Sequence, residues 1–198
     1  DKAGEFYFAK GPGEAEWTVY LWPRDPRSLE GRVAYSSRRV AIRLADGAGS
    51  YVTLDGLAIC SYAGAGPGTG GVVCTAGVHP TGCWVRNCQI TNNAGYAGIH
   101  VGGTDTVIQA NTVANVRYGY GILSGGSRTV VQGNSLSQTE RTAIYVPGAR
   151  QCRILSNTVQ GAGNLATAIA VYSDANEVLI AGNVVTRGGF ALALSHAA

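Results

Sequence analysis

Six short segments of this chain align without a gap, and no other feature limits its fold so sharply. LDGLAI, VRNCQI, IQANTV, VQGNSL, ILSNTV and IAGNVV put Leu57, Cys88, Asn111, Asn134, Asn157 and Asn183 in one column, at spacings of 31, 23, 23, 23 and 26 residues. Three residues before that column stand Leu54, Val85, Ile108, Val131, Ile154 and Ile180; two after it stand Ile59, Ile90, Val113, Leu136, Val159 and Val185. A period of this length marks a repeat architecture, in which each row is one unit that buries its apolar face by stacking on the next.

A third strand follows in each row: Val72-Val73-Cys74, Ile99-His100-Val101, Ile122-Leu123-Ser124, Ile144-Tyr145-Val146, Ile169-Ala170-Val171 and Leu192-Ala193-Leu194. Strand alternation predicts that the first and third residues of each triplet point inward and the middle one outward. Three short strands per row, turns of Gly, Asn and Ser, and no helical period describe one coil of a solenoid. The chain is therefore expected to be all-β, a right-handed parallel β-helix of about six to seven coils stacked about 4.8 Å apart. Asparagine is expected in its column because it tolerates the left-handed conformation of a sharp corner, and because stacked amides can bond to neighbours in adjacent coils. Cys88 and Leu57 fill the same inward slot without continuing the ladder.

Residues 1–39 read as an N-terminal strand and cap region, and residues 40–198 as the coils. Alternation in Glu5-Phe6-Tyr7-Phe8 and Thr18-Val19-Tyr20-Leu21-Trp22 around a Gly-Pro-Gly turn predicts paired strands that cover an open coil edge. An irregular first coil is expected over Val40–Leu44 and Tyr51–Leu54. Ala198 follows directly on a strand, with no matching C-terminal cap, and Asp1 stands where an opening Met would. Both ends are expected to be cut from a longer β-helix precursor.

Composition narrows the partners. Lys and Arg number 15 but are scattered, and the net charge is only +3, so no basic face for nucleic acid is expected. No run approaches the length of a membrane span. Five cysteines leave at least one unpaired within the chain; buried thiols are the expected state, with one disulfide as the alternative. Their spacing matches no zinc knuckle. AGAGPGTGG at residues 63–71 lacks the strand–helix setting and the Lys-Ser/Thr ending of a phosphate loop, and reads as an insertion between coils.

Over residues 40–195 the repeat resembles the pectate-lyase-like right-handed β-helix superfamily. GEFYF, TVYLWP and YVTLDGLAI resemble the opening of secreted bacterial β-helix proteins that include glycoside hydrolases and polysaccharide lyases. The resemblance implies a secreted protein whose substrate, a polysaccharide or oligosaccharide, lies along the outer face of one sheet and its flanking turns. That face would carry Val73, His100, Leu123, Tyr145, Ala170 and Ala193. The turns before the strand add Tyr96, Arg117, Tyr118, Tyr120, Glu140 and Arg141; those after it add Asp105, Arg128, Arg150 and Asp174.

Within this set His100, Glu140 and Arg117 are the candidate catalytic groups. Tyr145, Tyr96, Tyr118, Tyr120, Arg141 and Asp105 are the candidate substrate-binding ones, since aromatic rings and guanidinium groups suit sugar faces and carboxylates. A calcium-dependent lyase needs converging carboxylates, and the repeat carries no acidic cluster, so no metal or other cofactor is assigned. Two-carboxylate hydrolysis offers Glu140 with Asp105. His100 with Tyr145, two coils on, offers general acid–base chemistry. His79 and His196 are assigned no role. The alternative to a hydrolase or lyase is a non-catalytic glycan-binding or structural module of an adhesin or tail-type protein.

Overall fold

The structure is a computed structural model that describes residues 6–9, 18–21, 40–45, 51–64, 70–76, 81–161, 166–172, 175–187 and 189–195. It falls into two units, residues 1–35 and 36–198. In the first, Phe6–Ala9 pairs antiparallel with Thr18–Leu21, Phe6 opposite Leu21, as the alternation there predicts.

The second unit is a three-sheet parallel solenoid. Sheet 1 runs through Thr53–Asp55, Trp84–Arg86, Val107–Gln109, Val130–Gln132, Arg153–Leu155 and Leu179–Ala181. Sheet 2 runs through Ala58–Cys60, Gln89–Gly95, Thr112–Arg117, Ser135–Thr139, Thr158–Gln160 and Val184–Thr186, with Ala63–Gly64 pairing beside it. Sheet 3 has seven strands: Val40–Ala45, Gly70–Ala76, Ala97–Val101, Tyr120–Ser124, Ile144–Pro147, Thr167–Tyr172 and Phe190–Ser195. Six equivalent strands enclose one fewer interval than their number, so the solenoid makes about 5 turns rather than six to seven.

The predicted inward columns pair in register, Ile108 with Val85 and Val131, and Val113 with Ile90 and Leu136. They form one continuous apolar core. Leu192 and Leu194 keep the inward register but are exposed, because no described coil lies beyond them. Leu57 is also exposed and does not close its slot.

The asparagine column is an unbroken amide ladder. The Nδ2 groups of Asn111, Asn134 and Asn157 donate to Oδ1 of Asn134, Asn157 and Asn183 at 3.0, 2.9 and 2.9 Å. Each also donates to a carbonyl of the preceding coil, at Val85, Ile108 and Val131, while each Oδ1 takes a backbone N–H as well. At the ladder's near end Cys88 N–H donates to Asn111 Oδ1 at 3.0 Å, and its thiol turns to the Arg86 carbonyl.

The corner conformation sits elsewhere than expected. The left-handed φ belongs to the residue before the column: Gly56, Asn87, Ala110, Gly133, Ser156 and Gly182. Two further left-handed columns recur in every coil, Tyr51, Gly82, Asp105, Arg128, Gln151 and Glu177 ahead of sheet 1, and Ser61, Asn92, Asn115, Gln138, Gly161 and Arg187 along sheet 2. The asparagines are thus freed from the turn itself and spend their whole side chain on the ladder.

Cys88 and Cys152 are buried free thiols, Cys83 is buried, and Cys60 is exposed; the Cys74 side chain lies outside the described residues. Leu123 corrects the outward column. It occupies the middle position of its triplet, yet it is 4% exposed. In the ladder it stands between His100 and Tyr145, so the outer face of sheet 3 is itself packed.

Asn134→Ala would leave the Ile108 carbonyl and the Asn111 N–H groups buried without partners, and is expected to lower stability by roughly 3 kcal/mol in urea unfolding. Ala110→Gly is expected to raise it by about 0.5–1 kcal/mol, since glycine relieves left-handed strain of about 1–2 kcal/mol against an entropic loss of about 0.5–1 kcal/mol. Two small and equal effects would argue against this corner geometry.

Candidate functional site

The outward side chains of sheet 3 assemble into a run of rings. His100 lies 5.7 Å from Tyr96, Tyr96 5.5 Å from Tyr120, Tyr120 4.7 Å from Tyr145, and Tyr145 5.8 Å from Tyr172, measured between centroids. Strand pairing sets this up by stacking equivalent positions of successive coils, while Tyr120 opens its strand and Tyr96 enters from just before the preceding one. Tyr120 and Tyr145 stack at an interplanar angle of 17°, so those faces are occupied by each other. Tyr172 was missed from the sequence. Its signal was the position next to Val171, one residue past the triplet on which the outward column was read.

Burial dominates the chemistry of this run. His100 is partly buried, and burial pushes its imidazole down to about 4; its Nδ1 is enclosed and meets no hydrogen-bond partner among the described residues. Near neutral pH the ring is therefore the neutral imidazole and not the imidazolium that general-acid catalysis would use. Tyr145 is raised, first by burial and then by the neighbouring Tyr120, Tyr96 and Tyr172.

Of the predicted residues around the junction of sheets 2 and 3, Arg117, Tyr120, Glu140 and Arg141 line two concavities, and Tyr118 and Tyr96 line neither. An open cleft of about 670 Å³ takes Arg117 and Glu140 together with Asn92, Asn115 and Gln138 from the left-handed column along sheet 2. Arg117 and Glu140 follow Val116 and Thr139, which pair in register, so they stand at equivalent positions of neighbouring coils. A smaller one of about 280 Å³ takes Tyr120, Glu140 and Arg141, with Thr142, Ala166 and Thr167. Glu140 belongs to both. Its Oε2 accepts the Tyr118 backbone N–H at 2.9 Å. Arg141 places its guanidinium carbon 5.6 Å from the Tyr120 ring centroid, within cation–π range. Asn115 donates to Asn92 at 2.9 Å in the cleft lining.

Asp105 stands apart. It occupies the corner between sheets 3 and 1, at the other edge of sheet 3 from Glu140, and it is clamped by Arg128 through contacts of 2.6 and 2.7 Å. The Arg128 hydrogen bond, outweighing desolvation, holds its carboxyl below the ordinary carboxylate range. The structure therefore does not bring Glu140 and Asp105 together. Val73 pairs with His100 through the backbone, its side chain lying outside the described residues, as do Asp174, His79 and His196. Among the described residues no three His, Cys, Asp or Glu side chains come together as a metal site.

Comparison with known families settles the fold class. Residues 35–198 match the family model described as a right-handed β-helix region. The chain belongs to this family. No curated protein and no solved structure matches the chain. Membership of the right-handed β-helix family accounts for the parallel coils.

His100 makes the fold pH-sensitive. Its folded value of about 4 lies below the ordinary 6.5, so protonation favours unfolding; its contribution is full above about pH 6.5 and is lost as pH falls toward 4. Between about pH 7 and pH 4.5 the wild type is expected to lose roughly 1–3 kcal/mol more than His100→Gln in urea titrations. Equal losses in the two proteins would remove His100 as the source.

Proposed function

We propose that this β-helix is a secreted carbohydrate-active protein that grips an extended polysaccharide in the cleft at the junction of sheets 2 and 3. The observation that carries the reading is the lining of that cleft. Asn92, Asn115 and Gln138 repeat one side-chain amide per coil, flanked by Arg117. An amide both donates and accepts, as a sugar hydroxyl does, so a repeating ligand meets a repeating set of partners. The adjoining Arg141, held over the Tyr120 ring, supplies guanidinium donors that suit sugar hydroxyls and carboxylates. Resemblance of the opening segments to secreted bacterial β-helix proteins supports the extracellular assignment.

Binding is better supported than hydrolysis. A two-carboxylate glycosidase needs a second carboxyl within about 5–10 Å of the first. Asp105, the predicted partner of Glu140, is instead engaged with Arg128 at the far edge of sheet 3. This favours the non-catalytic glycan-binding module over a glycoside hydrolase with that pair.

Xylan, β-glucan, polygalacturonate and alginate make a suitable panel for affinity electrophoresis and calorimetry. At least one is expected to bind, and Arg117→Ala to weaken that binding by roughly tenfold, the scale of a lost charged hydrogen bond. Release of reducing ends or of unsaturated uronate would move the reading from a module to an enzyme. Failure of all four polymers to bind would overturn it.

A further inference from the structure

Tyr118 is strained where the solenoid does not require strain. Among the described residues fourteen non-glycine residues have a left-handed φ, and thirteen of them belong to the three corner columns that recur in every coil. Tyr118, at φ 65°, alone stands outside those columns among the described residues. A bulky side chain is an outlier in that region, and such strain persists only where the surroundings enforce it.

The enforcement is visible on both sides. Gly119 is pressed so close to the preceding coil that a Cβ there would lie 1.9 Å from the Gly95 carbonyl oxygen. From the following coil, Arg141 N–H donates to the Gly119 carbonyl at 3.2 Å, and Glu140 N–H to the Val116 carbonyl at 3.0 Å. The Glu140 carboxylate then takes the Tyr118 N–H itself. What this clamp presents is a ring that is 70% exposed, on the turn between Arg117 of the larger cleft and Tyr120 of the smaller one.

We infer that Tyr118 is the platform on which a sugar ring stacks as the polysaccharide passes between the two concavities, and that Glu140 is a positioning residue that holds it there. This rests on the glycan-binding reading above. A ring fixed in advance gives up little freedom when the ligand arrives, which is where a rigid aromatic gains over a mobile one. Glu140 acts through its hydrogen-bond acceptor, a role that an amide oxygen can fill. An acid catalyst or a charge partner for the ligand would need the carboxyl itself.

The test uses the tightest binder of xylan, β-glucan, polygalacturonate and alginate, the full chain, and variants at both residues. Tyr118→Gly is expected to raise the thermal midpoint by about 2–4 °C, as strain is released, while weakening binding about tenfold or more. Glu140→Ala is expected to weaken binding comparably and to speed hydrogen exchange of the Tyr118 amide. Glu140→Gln is expected to stay within about threefold of the wild type in binding and to keep that amide slow. Undiminished binding by Tyr118→Gly would overturn the platform. If Glu140→Gln fell as far as Glu140→Ala, the positioning role would be wrong. Should the wild type bind none of the four polymers, the glycan reading and the platform fall together, and the Tyr118 amide exchange in Glu140→Ala still decides whether Glu140 positions the turn.

Discussion

Everything in this solenoid depends on how one coil is tied to the next, and the inward amide column does that tying. Each asparagine donates to a carbonyl of the coil before and to the amide oxygen of the coil after, and its own oxygen accepts a backbone N–H from the coil before. A buried amide with half its partners would be a liability. Here the network is satisfied from Asn111 to Asn157, so polar groups in the core reinforce the register that the buried apolar columns set. The outer turns inherit that register, which is why Arg117 and Glu140 fall at equivalent places in adjacent coils.

Much of the fold was legible because the repeat is written in side-chain character. Ile108, Val131 and Ile154 announce an inward column, and Asn111, Asn134 and Asn157 announce a ladder. The corner was misplaced by one residue because backbone conformation is not written in that way. Ala110, Ser156 and Asn87 share a left-handed φ with Gly56 and Gly133, yet have no chemistry in common. The stacked coils impose it on whatever residue is there.

The site was legible in its membership and less so in its arrangement. Arg117 and Tyr120 of one coil and Glu140 and Arg141 of the next do line adjoining concavities, as the spacing of the coils implies. Alternation, however, reports direction and not cover. Leu123 points outward by register and is buried all the same, and His100 is partly closed over beside it. Asp105 looked available as a carboxylate because nothing in its own row shows that Arg128, one coil on, will close on it.

The three left-handed columns also make the coil a modular unit of length. Because each turn of the chain presents the same corners to its neighbours, a gain or loss of one 23-residue row between Asn111 and Asn157 changes the height by about 4.8 Å and leaves the remaining bonds of the same kind. The edge that carries Asn92, Asn115 and Gln138 grows or shrinks by one amide with it. Coil number is then a ruler, and the reach of the groove along a polymer is set by counting rows rather than by reshaping any of them.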